Sequence, residues 1–280
     1  MQQQGKKGLR EWVAFLGHVE IPVLAQTARN LASLRQEEDK LSARGVAHII
    51  RTDPMMTVKL LRYLQQHKHR SQEHEVVHVK QALMLLGLET FFGKVPPQPL
   101  VEELLADHLE ALLSLLSVVI RSQRASAYAM DWAIRMNDMH FEEVRIAALL
   151  CDITEQLMWC FAPQDMMKIR DMQQQDSTLR SHAAQQEVFG FPLSDLQYAL
   201  VLEWSLPQLL ISLLDSSCSS HPRVRNVFLA DNLARHSAKG WEDAALADDY
   251  REIGELLRMS PEQVMAIVAG KSPGLGEGES

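Results

Sequence analysis

In almost every segment of the 280 residues, apolar side chains recur at spacings of three and four, and no stretch of useful length alternates strictly between apolar and polar. A half-buried strand requires alternation and an amphipathic helix requires the three-four spacing, so the chain is expected to be all-α. Val23, Leu24, Ala28, Leu31 and Leu34 form one apolar face behind Pro22. They predict a helix over 22–35, since the missing proline N–H has no helical acceptor in a first turn. Thr52-Asp53-Pro54 predicts the end of a helix over 41–51 and the start of one over 54–66, with Asp53 as cap and Pro54 preset at the first position. A further helix over 79–92 carries Ala82, Leu83, Leu85, Leu86 and Leu88.

The clearest interruption is Lys94-Val95-Pro96-Pro97-Gln98-Pro99, where three prolines in four residues cannot continue a helix. It divides the expected architecture into two lobes: an N-terminal extension over 1–19, a helical lobe over 20–94, a larger helical lobe over 95–269, and a disordered tail over 270–280 that holds four glycines. In the second lobe, a long helical stretch over 100–136, interrupted near Asp107, precedes helices over 142–151, 163–174, 178–189, 193–204, 207–216, 222–238, 241–258 and 261–268. Ser260-Pro261-Glu262-Gln263 gives the last one a serine cap and an acidic first turn. Trp12, Val13, Phe15 and Leu16, ahead of the domain, are expected to pack onto it, the alternative being an amphipathic segment presented to a partner.

A net charge of −8 with thinly spread Lys and Arg argues against a nucleic-acid surface. Three cysteines, Cys151, Cys160 and Cys218, without a close pair, indicate neither a disulfide framework nor a zinc ribbon, which suits a reducing cytoplasm. The most apolar run, 109–120, is too short to span a bilayer, so a soluble protein is expected.

Ala147-Ala148-Leu149-Leu150-Cys151-Asp152-Ile153 reads as a histidine-aspartate metal motif whose histidine is replaced by Cys151. In a site of that kind, imidazoles and carboxylates hold a divalent ion whose bound water becomes the nucleophile. Cysteine leaves Asp152 without its companion. No histidine lies in Arg121-Ser122-Gln123-Arg124-Ala125-Ser126 on the long helix, where Arg121 and Arg124 would repel a cation. Asp152 is therefore expected to hydrogen-bond locally, with Cys151 a small buried residue. His74-Glu75-Val76-Val77-His78 matches the zinc-protease pattern HExxH, but it works only if all five residues are helical. A solvated run from His67 to Gln72 precedes it, which favours a polar connector. Ten methionines, Met55, Met56, Met84, Met130, Met136, Met139, Met158, Met166, Met167 and Met172, are read as core in preference to a Met-rich partner surface. No glycine-rich phosphate loop and no Gly-x-Ser-x-Gly elbow is present.

In order, these landmarks resemble the HDOD family, the HD-related output domains of bacterial signalling. The resemblance covers roughly 20–235 and is carried by Ile21-Pro22, by Asp53-Pro54 running into Lys59-Leu60-Leu61-Arg62, by Gln81-Ala82-Leu83-Met84-Leu85-Leu86-Gly87, by Ala147 to Ile153, by Glu187-Val188-Phe189-Gly190 and by Trp204-Ser205-Leu206-Pro207. It implies that Asp53, Pro54, Gly87, Glu187, Gly190, Trp204 and Pro207 are structural landmarks, and that Cys151 and Asp152 are the vestige of the histidine-aspartate position. The sequence departs from the family pattern at Gln65-Gln66, where many members have Asn-Ser, at Pro192-Leu193, where a histidine often stands, and near Ser217-Cys218, the place of a frequent histidine pair. The resemblance implies a non-catalytic bacterial signalling protein with no cofactor, acting in the cytoplasm through protein partners, with a small ligand in the groove between lobes as a further possibility. No catalytic and no metal-binding residue is assigned. The competing expectation is a divergent HD-type metal-dependent phosphohydrolase acting on nucleotides or cyclic dinucleotides through Asp152.

Overall fold

Asp53 shows how the amino-terminal half is held together. Its Oδ1 accepts from the backbone N–H of Met55 (2.9 Å) and Met56 (3.0 Å), capping the helix that Pro54 starts, while Oδ2 accepts from Leu24 N–H at 3.1 Å, 29 residues away. One buried carboxylate thus satisfies free donors at the starts of two helices. The computed structural model describes residues 7–37, 39, 41–67, 78–176, 178–213 and 216–269. The expected tail over 270–280, and His74 and Glu75 of the zinc-protease pattern, lie outside them.

The chain is all-α. Its helices run α1 Leu9–His18, α2 Ala25–Gln36, α3 Ala43–Ile50, α4 Pro54–Gln66, α5 Val79–Leu86, α6 Leu88–Lys94, α7 Val101–Leu104, α8 Leu109–Arg135 and α9 Phe141–Leu150. Then follow α10 Ile153–Phe161, α11 Pro163–Gln175, α12 Ser181–Phe189, α13 Leu193–Glu203, α14 Gln208–Leu213, α15 Pro222–His236, α16 Leu246–Leu257 and α17 Pro261–Ala269. No strand occurs among the described residues, and no single helix among them is long and apolar enough to cross a membrane.

Several boundaries differ from those the sequence predicts. The helix expected over 22–35 begins at Ala25, because Val23 is extended: its N–H donates to Pro99 O and its C=O accepts from Val101 N–H, both at 2.9 Å. The helix expected over 79–92 is two helices, since Gly87 adopts φ 79° and ψ 143°, a conformation glycine alone adopts readily. Helix α10 was not predicted; Ile153, Leu157, Met158, Trp159 and Cys160 are all buried, so it has little polar face for periodicity to reveal. The helix expected from 241 starts at Leu246. At the last helix, Ser260 Oγ accepts from Gln263 N–H while Gln263 Oε1 accepts from Ser260 N–H, the reciprocal cap the sequence indicates.

The core is one continuous cluster in which Leu60 of α4, Trp132 of α8, Leu150 of α9 and Trp204 are all buried. Helix α4 carries two buried cations that bind the preceding chain. Lys59 Nζ donates to the carbonyls of Ile21 and Gln98 and pairs with Glu20, while Arg62 Nη1 donates to Val19 O at 2.9 Å and lies near Leu16 O and Gly17 O. Cations at a helix C-terminus satisfy carbonyls that have no intrahelical donor. Helix α1 is thereby fixed against α13, with Trp12 and Leu16 buried and Phe15 edge-on to Phe161 at 5.3 Å. Trp12 to Leu16 pack onto the domain, against its carboxy-terminal helices. Of the methionines read as core, Met55, Met56, Met158 and Met166 are buried, whereas Met84 and Met139 are exposed.

Candidate functional site

Cys151 and Asp152 form the joint between α9 and α10, and Asp152 occupies the cap position of α10. An aspartate there ordinarily accepts from its own helix. This one makes no such bond and turns across to α8, where Arg121 Nε (2.9 Å) and Nη2 (2.7 Å) both donate to Asp152 Oδ2. Arg121 Nη2 also donates to Glu155 Oε2 at 2.7 Å. From α15, Arg235 Nη2 donates to Asp231 Oδ2 at 2.8 Å and lies 3.6 Å from Asp152 Oδ1. The Cys151 S–H donates to Ala148 O at 3.0 Å with Asp231 Oδ1 at 3.6 Å, and Gln197 of α13 donates to Cys151 O.

Three carboxylates therefore meet two guanidinium groups in a largely buried place. Burial works against the Arg121 charge, but Glu155, Asp152 and Asp231 outweigh it and raise its pKa. Asp231 is pushed up to about 6, chiefly by burial and then by Asp152, against the pull of Arg235 and Arg121. Burial, reinforced by Asp231 and Asp152, raises the Cys151 thiol well above its ordinary value, so at neutral pH it is a thiol and not a thiolate. These groups line a cavity of about 720 Å³ together with Val118, Trp159, Ile169, Leu193 and Phe228. Its walls are α8 and α10 to α13 with α15, all beyond Pro99. A smaller cavity, about 440 Å³, lies between α3, α5 and the start of α9 and is lined by Arg44, Arg51, Lys80 and Glu142.

Two sequence expectations need correction here. Asp152 does not hydrogen-bond locally; its partner is 31 residues earlier, because Arg121 lies on the cavity side of α8 and buried charges require pairing. Cys151 is half-buried, at the cavity wall. Asp231 and Arg235 were not foreseen. Their only trace in the sequence is an Asp-Arg pair four residues apart on α15.

A family model described as the HDOD domain matches residues 21–218. The chain belongs to the HDOD family. No curated protein matches it. Among solved structures, the MmoQ response regulator of Methylococcus capsulatus str. Bath is 19% identical with a TM-score of 0.66, over 90% of this chain and 99% of that one. A virulence factor of Campylobacter jejuni subsp. jejuni is 16% identical with the same TM-score, over 93% and 90%. An HDOD domain protein of unknown function from Geobacter sulfurreducens has a TM-score of 0.50 at 16% identity, over 94% and 92%. At these identities the likeness is one of fold.

The HDOD landmarks have identifiable local roles. Asp53 and Pro54 start α4, Gly87 breaks α5 from α6, and Gly190 ends α12 in the left-handed region at φ 86°. Trp204 is buried beneath the guanidinium of Arg62 (5.7 Å), Pro207 is buried just before α14, and Glu187 is exposed on α12. None of these seven lines the cavity at Asp152, but Pro192 and Leu193, at the place where many HDOD proteins have histidine, do. Ser217 and Cys218 do not.

Proposed function

We propose that this HDOD protein is a regulatory protein that works by binding and not by turnover. The observation that carries the reading is the pairing of Arg121 with Asp152 and Glu155. Cys151, Asp152 and Asp231 bring possible ligand atoms within 4.8 Å of one another, so spacing alone would admit a divalent ion. The donor set does not fit one. It offers no imidazole, its sulfur is held as a neutral thiol, and Arg121 and Arg235 already supply positive charge to the carboxylates. At 4 Å and an effective dielectric of 20, each added pair of like unit charges costs about 4 kcal/mol, which favours the arginines over a dication beside them.

The cavity at Asp152 is the proposed ligand or partner surface, in place of the groove between lobes. The name of the MmoQ response regulator agrees with a regulatory setting, and a cytoplasmic signalling role through protein contacts is part of the proposal. The clustering of Cys151, Asp152 and Asp231 favours one competing reading, a metal-dependent phosphohydrolase. Metal analysis of untagged protein, joined to a phosphatase and phosphodiesterase screen, separates the two. Sub-stoichiometric metal and no turnover are expected. Stoichiometric metal, lost together with turnover in Asp152→Ala, would overturn the binding reading.

A further inference from the structure

Helix α8 has two apolar faces. One is buried through Ala111, Leu115, Ser122, Ala125, Ala129 and Trp132. On the other side, Leu109, Leu113, Leu116, Ile120, Gln123, Ala127, Met130 and Ile134 follow one another at intervals of four and three without a break. At 100° per residue these eight fall within about a 100° arc, opposite the buried face. Leu109, Leu113, Ile120 and Ile134 are 64%, 59%, 50% and 49% exposed, Ala127 is exposed, and Leu116 and Met130 are half-buried. A single exposed leucine is ordinary, but a continuous heptad seam on one helix is the pattern by which two helices pack.

We propose that this seam is the interface of a homodimer in which α8 packs antiparallel against α8 of a second copy. The pattern selects that occupant because its spacing reads the same in both directions. About a two-fold axis between residues 121 and 122, Leu109 meets Ile134, Leu113 meets Met130, Leu116 meets Ala127, and Ile120 meets Gln123, so one patch is complementary to itself. Gln123 is the one polar residue of the eight, and its amide already donates to Thr52 O, so that donor is not stranded where it meets Ile120. Along the exposed edge stand Glu110, Ser117, Arg124 and Asp131, the last paired with Arg135, so no block of like charge opposes the approach. Twenty-seven residues make a helix about 40 Å long and about 10 Å wide, which places the contact near 400 Å² per copy, or ~800 Å² in total. That is below the range of permanent dimers and fits a weak, exchanging one.

Sedimentation equilibrium of the full chain should give a mass that rises with concentration from 31.7 kDa toward twice that value. Ile120→Glu, at an exposed position at the middle of the seam, should weaken association at least about tenfold with the circular dichroism melting curve unchanged. Under mild oxidation, a chain carrying L109C and I134C should cross-link Leu109's position to that of Ile134 in the other copy. A wild-type chain that stays monomeric to its solubility limit, an Ile120→Glu variant that dimerises as well as wild type, or efficient cross-linking of the single variant L109C to itself would each overturn the proposal.

Discussion

Replacing Arg121 by methionine keeps much of the side-chain volume and removes the charge that three carboxylates face. The Arg121 side chain is 14% exposed and makes three hydrogen bonds, two to Asp152 and one to Glu155. Breaking a buried pair by deleting one partner costs about 3–5 kcal/mol, since the remaining charge is left buried and uncompensated. Because Glu155 is 29% exposed and keeps some solvation, the lower end, about 3 kcal/mol at pH 8, is expected. With a urea slope of about 3 kcal/mol/M for a chain of this size, the midpoint should fall by roughly 1 M. The loss should shrink at pH 5. Arg121 is one of the two cations that pull the pKa of Asp231 down from its raised position, so without it folded Asp231 holds its proton more tightly and the folded variant is favoured at low pH; that advantage disappears as pH rises through the raised value. Urea titrations of wild type and R121M at the two pH values measure both quantities. A loss below about 0.5 kcal/mol at pH 8, the size of an ordinary surface substitution, would refute the reasoning, as would a loss that is equal at pH 5. The triple variant R121M/D152N/E155Q should recover most of the stability, because it removes the stranded charges along with their partner.

Asp231→Asn probes the same cluster from the other side. With its pKa pushed up to about 6, folded Asp231 binds its proton more tightly than the unfolded chain does, a contribution present at about pH 4 and lost as pH rises through about 6. Relative to wild type, D231N should therefore be more stable at pH 8 than at pH 4.5, and an identical difference at both would count against the burial argument. Gly87→Ala should lower stability by about 1–3 kcal/mol through backbone strain alone, since a Cβ there meets nothing within 4 Å. A melting temperature equal to wild type would show that the joint between α5 and α6 adapts.

Most of the helices were legible because their apolar faces are local patterns. Pro54–Gln66 follows from Asp53 and Pro54 alone, and the cap at Ser260 from four consecutive residues. What failed is non-local. Pro22 resembles a helix start until Pro99 and Val101 bind Val23 from nearly eighty residues away. The position of Asp152 in the candidate site was visible, since the replaced histidine marks it, but its counter-ions were not. That Arg121 is positive is plain from the sequence, but not that it bonds the carboxylates themselves, and Asp231 and Arg235 come from a helix whose spacing does not point to the cavity. Ionic partners carry no periodicity, so a sequence shows that a charge exists without showing what it faces.

The HDOD match ends at residue 218, yet α15, which begins at Pro222, closes the cavity with Phe228, Asp231 and Arg235 and packs along α8, where Asn226 donates to the buried carbonyl of Ala129 at 3.0 Å. The stretch matched by the family model is thus shorter than the stretch that must fold together. A fragment cut at the family boundary would expose the inner side of α8, strip Asp152 of one of its two cations and open the pocket to water. Dissection at the end of the family match would sever a unit that physics keeps whole, and a fragment that keeps the charge cluster complete must include α15.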